Sequence, residues 1–337
     1  MRIAVIAPPS VPVPPPFYGG TEAVVDTLCR GYAAAGHDVV LFASADSTCP
    51  VEVRSTVDRS DGELIGQTEP ELAHVLVAYD DAERFDIVHD HTLIGPILAG
   101  RTPQVPVAST IHLALQGNAL RIYEHVPDNV HLIAISEAQR RPVPNLAITS
   151  VIHHGINPAD LPVGAGDGDF CLFLGRMSPD KGARWAIAAA KKAGMPLILA
   201  GKMRSVEEIT YFEEQVEPAL SDDVRYLGEI PHQRKVELLG QARALLFPTL
   251  WNEPFGMVML EALACGTPVI STMHGAVPEV IADGVTGFLC ADEGAFAEAV
   301  GRIGSLDRRV CREAVEGYFS ADRMVRSYLA VFDLLTR

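Results

Sequence analysis

The stretch NEPFGMVMLEALACGTPVI, residues 252–270, carries two carboxylates with seven residues between them, Glu253 and Glu261. The run from Gly256 to Cys265 is otherwise apolar, so the helix it predicts is buried nearly all round. A carboxylate on such a helix needs a partner, because stripping water from a lone charge is costly. Pro254 and Gly256 fix a turn, and the amides of Phe255, Gly256 and Met257 open the helix with no carbonyl behind them. A carboxylate acceptor beside several amide donors suits the hydroxyls of a sugar. Glu261, further into the helix, suits the vicinal hydroxyls of a ribose. The plain alternatives are a solvent-facing Glu261 and a structural Glu253.

Two further loops carry charge or bare amides where a ligand would want them. In LGRMSPDKGARWAI (174–187), Arg176 ends a predicted strand and Lys181 follows just before a predicted helix. Two cations with a helix N-terminus make a diphosphate site; the alternative is two exposed cations on a loop. In APPSVPVPPPFYGGTEAVV, six prolines stiffen a loop that ends in Gly19-Gly20, with Thr21 as the expected N-cap of the next helix. Paired glycines there let amides approach an anion, or they form a plain tight turn. GxGxxG is missing, which leaves a dinucleotide poorly supported.

Two other constellations look like metal motifs. Asp167-Gly168-Asp169 lies in a glycine-rich linker rather than at a strand end. His89-Asp90-His91 follows a strand with both rings on one side, but further ligands are not evident. His89 and His91 are better suited to contacting an acceptor. His153-His154 has no clear task.

These loops must be positioned by alternating strands and helices. Apolar runs at 2–8, 38–44, 86–91, 107–113, 131–136 and 149–155, then at 170–176, 196–202, 224–229, 244–250 and 268–272, read as strands separated by amphipathic stretches. Such a pattern means parallel sheets covered on both faces, with ligands outside the carboxyl ends of the strands. The aperiodic, Pro/Gly/Asp-rich 157–169 reads as a linker between two α/β domains that face each other across a cleft. The totals agree: 337 residues exceed one ordinary core. Net charge is −16, with nine Arg and 19 acidic residues up to position 160 and 18 basic against 24 acidic beyond it. Neither half offers a surface for nucleic acid or anionic lipid. Six scattered Cys, none in CxxC, read as reduced thiols in a cytoplasmic protein. No apolar run is long enough to span a membrane.

Taken in order, GGTE after the first strand, LGRMSPDKG, the strand end YLGEI, EPFGMVMLE and GTPVIST resemble the retaining glycosyltransferases of family 4 with the GT-B fold, whose E-x7-E motif matches Glu253 and Glu261. The resemblance covers nearly the whole chain. It implies an acceptor-side Rossmann-like domain over 1–158, a nucleotide-sugar donor domain over 169–319, and a C-terminal helix, 320–337, that crosses back to the first domain. It further implies that Arg176 and Lys181 hold the donor diphosphate, Glu261 the ribose, and Glu253 with residues 254–257 the transferred sugar. Gly20, beside Gly19, would meet the phosphate, and the base would lie near Leu227 and Gly228. His112 would reach the donor hexose near the reacting carbon, unless it is merely a strand-end histidine. Acceptor contacts would come from the Pro-rich loop with Tyr18, from His89 and His91, and from 113–125 with Tyr123.

The resemblance implies transfer with retention; the expected reaction uses no cofactor or metal, with a UDP-glucose-like donor as the first expectation and GDP-mannose as the next, and the acidic first domain suits a small soluble, saccharide or natural-product acceptor. A sugar-nucleotide epimerase, a phosphorylase and a non-catalytic nucleotide-sugar binder are the competing readings. Oligomeric state is not readable.

Overall fold

The computed structural model describes residues 1–17 and 19–337; Tyr18, one of the acceptor-side candidates, lies outside the described residues. The chain divides into two compact units, Met1–Gly155 with Ala321–Arg337, and Ile156–Ser320.

Unit 1 holds seven parallel strands: β1 (Arg2–Ile6), β2 (Asp38–Phe42), β3 (Glu52–Arg54), β4 (Ile87–Asp90), β5 (Val107–Thr110), β6 (Val130–Ala134) and β7 (Ile148–Val151), in the order β3-β2-β1-β4-β5-β6-β7. Its helices are α1 (Gly20–Ala34), α2 (Thr68–Asp80), α3 (Gly117–Tyr123) and α4 (Glu137–Arg140). Unit 2 holds six parallel strands, β8 (Cys171–Leu174), β9 (Leu197–Ala200), β10 (Val224–Tyr226), β11 (Leu245–Phe247), β12 (Val269–Thr272) and β13 (Gly287–Cys290), in the order β10-β9-β8-β11-β12-β13. Helices α5 (Ala183–Ala193), α6 (Val206–Tyr211), α7 (His232–Gln241), α8 (Met257–Ala264), α9 (Val277–Val280), α10 (Glu293–Gly301) and α11 (Arg308–Gly317) belong to it. The last helix, α12 (Ala321–Leu335), is part of unit 1.

Every predicted strand is present and shorter than its apolar run; β6 and β7 begin one residue earlier than expected, and the edge strands β7 and β10 are only partly buried. Two edge strands lack a sequence signal. β3 is only EVR and partly exposed. β13, GFLC, opens on Gly287, where a side chain would strike the Val269 carbonyl at 1.9 Å.

The expected N-cap, Thr21, is corrected. Helix α1 begins at Gly20 with Gly19 as its cap and no side-chain cap bond. Gly19 is pressed beneath the Pro-rich loop: a Cβ there would lie 2.7 Å from Pro15 Cβ and 2.8 Å from Glu22 Oε2. The helix therefore starts earlier, and buried Glu22 falls in its first turn, where the dipole favours a carboxylate.

α12 seals one face of the unit 1 sheet. It lies so close on α1 that a Cβ on Gly31 would meet Val325 Cγ2 at 2.3 Å. Tyr328 Oη is 3.0 Å from Thr110 Oγ1, and Phe332 packs on Tyr32 with ring centroids 5.4 Å apart.

In unit 2 the segment read as a linker is an ordered ladder. The amides of Gly164, Gly166 and Gly168 donate to the carbonyls of Cys265, Gly240 and Gln241, each at 3.0 Å. Only glycine fits at 164, since a Cβ would lie 2.1 Å from the Gly240 oxygen. Arg308 of α11 locks the ladder, donating to the carbonyls of Gly164, Gly240, Ala242 and Cys265 and to Thr267 Oγ1, between 2.8 and 3.2 Å. Among the described residues no helix is long and apolar enough to cross a membrane.

Candidate active site

In unit 2 the predicted site residues gather at the carboxyl ends of adjacent strands β8 and β11. The loop after β8 turns at Gly182, whose left-handed backbone (φ 72°) brings it against the Pro248 carbonyl of the loop after β11. The Leu250 amide donates to the Asp180 carbonyl at 2.7 Å, joining the two loops. Across this junction Lys181 Nζ lies 2.5 Å from Glu253 Oε2, with both side chains buried. Trp251 Nε1 donates to the same oxygen at 3.0 Å, and the Lys181 ammonium sits 5.0 Å from the Trp251 ring centroid. A buried ion pair of this kind stands only because each charge answers the other.

The question raised by Glu261 has a similar answer. It is half-buried on α8 and faces Lys235 of α7, Nζ to Oε1 at 2.5 Å. Arg176 pairs with Glu208 of α6 at 2.6 Å and more loosely with Asp180 at 3.5 Å. Glu208 also accepts from the Arg204 amide and closes a capping box with Ser205. Each charged residue predicted to meet a ligand thus has an internal partner of opposite sign that holds it in place.

Glu253 is buttressed from behind. Gly275, in the loop after β12, has φ 59°, and a Cβ there would lie 2.2 Å from the Glu253 carbonyl. The next amide, Ala276, donates to that carbonyl at 2.9 Å. Gly256 caps α8 with φ 86°. Pro254 is buried. The Phe255 ring is buried against Phe319, so Phe255 has only its backbone to offer, and Met257 opens the helix. Leu227 and Gly228 lie at the carboxyl end of β10; Gly228 is left-handed (φ 72°), its carbonyl accepts from the Gly201 amide at 2.9 Å, and the Leu227 side chain is exposed.

In unit 1 the carboxyl ends of β4, β5 and β7 carry a file of imidazoles. Ring centroids are 4.1 Å apart for His89–His91, 5.1 Å for His91–His112 and 5.3 Å, nearly parallel, for His112–His154. Burial holds them neutral: the pKa of His112 falls to about 4, and those of His89, His91 and His154 are also lowered, chiefly by burial. Asp90 lies opposite, accepting from Tyr79 Oη at 2.8 Å and from the Thr92 amide and hydroxyl at 2.7 Å each. Burial raises its pKa to about 7.

Two acceptor-side candidates are corrected here. His89 is fully buried, with Nδ1 3.1 Å from Tyr32 Oη and Nε2 2.8 Å from Thr110 Oγ1. It is a satisfied core histidine. Tyr123 is likewise buried in the sheet core. His91 is buried beside half-buried His112. Among the described residues no group of three or more His, Cys, Asp or Glu is placed to hold a metal ion.

Sequence reasoning missed Glu208, Trp251, Lys235 and Gly275. Only Glu208 carried a signal, the Ser205-x-x-Glu208 capping box.

Two doubly wound parallel sheets with charged loops at their carboxyl ends define an α/β enzyme that binds its ligand at those ends. The family model for glycosyl transferases group 1 matches residues 168–305, and that for glycosyltransferase family 4 matches residues 18–160. The chain belongs to this family and is a glycosyltransferase. It is 28% identical to a glycogen synthase of Mycobacterium tuberculosis over 89% of this chain and 85% of that one. It is also 28% identical to a phosphatidyl-myo-inositol mannosyltransferase of Mycolicibacterium smegmatis, over 91% and 85%. Among solved structures it resembles AviGT4, a glycosyltransferase involved in avilamycin A biosynthesis, with a TM-score of 0.74, 26% identity and coverage of 99% and 98%. The sucrose-phosphate synthase of Thermosynechococcus elongatus superposes with a TM-score of 0.80 at 22% identity over 99% and 98%, a likeness of fold. The fold is therefore GT-B.

Proposed function

We propose that the chain transfers a hexose, with retention and without a metal, from a nucleotide-diphosphate sugar to a hydroxyl of a small soluble or saccharide acceptor. A UDP-glucose-like donor is the first candidate and GDP-mannose the second. The observation that carries this reading is the Lys181–Glu253 contact across the ends of β8 and β11. It sets a cation suited to a departing diphosphate against a carboxylate suited to sugar hydroxyls. Arg176 adds a second cation, and Glu261 would take the ribose hydroxyls, with Lys235 holding its carboxylate in place. The relatives named glycogen synthase and mannosyltransferase support a hexose as the transferred group.

In this reaction the bond from the anomeric carbon to the diphosphate oxygen breaks while positive charge builds on the sugar ring. Arg176 and Lys181 stabilise the negative charge that develops on the leaving group. The acceptor oxygen bonds to the anomeric carbon on the same face, and its proton passes to an oxygen of the departing phosphate. In unit 1 the residue proposed to meet the sugar is His112, as a neutral imidazole.

The test is a thermal-shift panel of UDP, GDP, ADP and dTDP, each with EDTA and with magnesium, followed by turnover of the matching nucleotide hexose. A ligand at about 100 times its Kd adds roughly 2.7 kcal/mol. One nucleotide should stabilise the protein in EDTA, and Glu261→Ala should erase most of that shift. Binding only with magnesium, or a shift untouched by Glu261→Ala, would overturn the assignment.

A further inference from the structure

His91 is buried, 4% exposed, and makes one side-chain hydrogen bond: Nδ1 lies 2.8 Å from His112 Nε2. Its other nitrogen, Nε2, is buried and has no hydrogen-bond partner among the described residues. A neutral imidazole carries one N–H, on one nitrogen or the other. With the proton on Nε2, His91 would bury an orphaned donor, the rarer and more costly defect. With the proton on Nδ1, the donor is satisfied by His112 and only a lone pair is left over. His112 Nε2 must then accept, so the His112 proton resides on Nδ1, the nitrogen that makes no hydrogen bond to the described residues.

We propose that His91 is a positioning residue that fixes His112 as its neutral Nδ1–H tautomer, so that the ring presents a hydrogen-bond donor to the oxygen of a sugar hydroxyl. The proposal rests on the reading that His112 meets the donor sugar. The surroundings support it: the His89 ring lies tilted against His91, with centroids 4.1 Å apart, and His112 stacks on His154. A cationic His112 is disfavoured for the same reason, since its charge would lie among close-packed imidazoles.

The test reads the tautomer directly, by nitrogen NMR of isotope-labelled histidine in the full-length protein at neutral pH, with His112 assigned by its loss in His112→Gln. Wild-type protein should show His112 Nδ1 as the protonated, pyrrole-like nitrogen and Nε2 as the acceptor. In His91→Leu that preference should be lost, with Nε2 shifting toward the protonated position. His91→Asn, whose side-chain amide can donate from nearly the same place as Nδ1, should restore it. An Nε2–H His112 in the wild-type spectrum overturns the proposal even if the variants do not fold. A wild-type pattern unchanged in folded His91→Leu overturns it as well. Nucleotide-sugar turnover separates the underlying reading. If His112→Gln transfers at the wild-type rate while the tautomer is as described, it is the sugar contact that fails. If turnover falls in His112→Gln and His91→Leu and returns in His91→Asn, both stand.

Discussion

Acidification should loosen unit 1 before unit 2. Unit 1 buries His74, His89, His91 and His154, with His112 half-buried, whereas the two histidines of unit 2, His232 and His274, are exposed. A histidine whose folded pKa is depressed gives stability that is present above its unfolded pKa of 6.5 and is lost as pH falls toward the folded pKa. Burial lowers both His74 and His112 to about 4. Going from pH 7 to pH 5, each then loses about 2 kcal/mol, about 4 kcal/mol together. Asp90 opposes this: its folded pKa is raised from 3.8 to about 7, so the folded state favours its protonated form and gains stability as pH falls. That gain between pH 7 and pH 5 is about 2 kcal/mol. Glu71, also raised by burial, acts in the same sense. The two histidines together outweigh Asp90, and His89, His91 and His154 all add to their side. Urea unfolding of the full chain at the two pH values, with hydrogen exchange of the β4–β5 and β8–β11 amides to assign the loss, makes the measurement. His74 lies on α2, away from the proposed site, with Nδ1 on Thr56 Oγ1 at 2.8 Å. His74→Gln should therefore shrink the pH 7 to pH 5 loss by about 2 kcal/mol. The reasoning fails if unit 1 is as stable at pH 5 as at pH 7, or if the variant keeps the full slope.

Three further outcomes follow from the geometry. Lys181→Met strands the buried Glu253 and should destabilise unit 2 by about 3–5 kcal/mol, while Lys181→Met with Glu253→Gln should recover much of that loss, as read from urea midpoints in a double-mutant cycle. Gly275→Ala forces a side chain into a left-handed position against the Glu253 carbonyl. It should cost about 2 kcal/mol or more and reduce the nucleotide thermal shift. Arg308→Met leaves the Gly164 and Ala242 carbonyls without their donor, while those of Gly240 and Cys265 keep their backbone amides, and should lower unit 2 stability by at least about 2 kcal/mol, with faster proteolytic cleavage within 161–168.

The parts of the molecule that were legible are those encoded locally. Eleven apolar runs gave eleven strands because parallel strands are buried on both faces and need no alternation. β3 is a three-residue, partly exposed edge strand that writes no such run, and β13 follows directly on a turn-rich stretch, DGVTGFLC, and opens on a glycine. The charged candidates Arg176, Lys181, Glu253 and Glu261 stood out by type and spacing, but their counter-charges did not. Glu208 and Lys235 come from other helices, and Gly275 from a loop that only the sheet brings behind Glu253. His89 shows the converse error. His-Asp-His at a strand end invites a role at the surface, yet His89 is enclosed by Tyr328 and Phe332, residues from the far end of the sequence. Nothing near position 89 could announce them.

That enclosure bears on the order of synthesis. The strands of unit 1 are complete by residue 151, but α12, which covers His89 and Thr110, follows all of unit 2. At about 5–20 residues per second, the stretch 156–320 takes on the order of ten seconds to translate. Through that interval the nascent first sheet has Tyr32, His89 and Thr110 bare to water or to chaperones. Unit 2, continuous in sequence, has every element it needs as soon as it clears the ribosome. The first unit to begin is therefore the last to be finished.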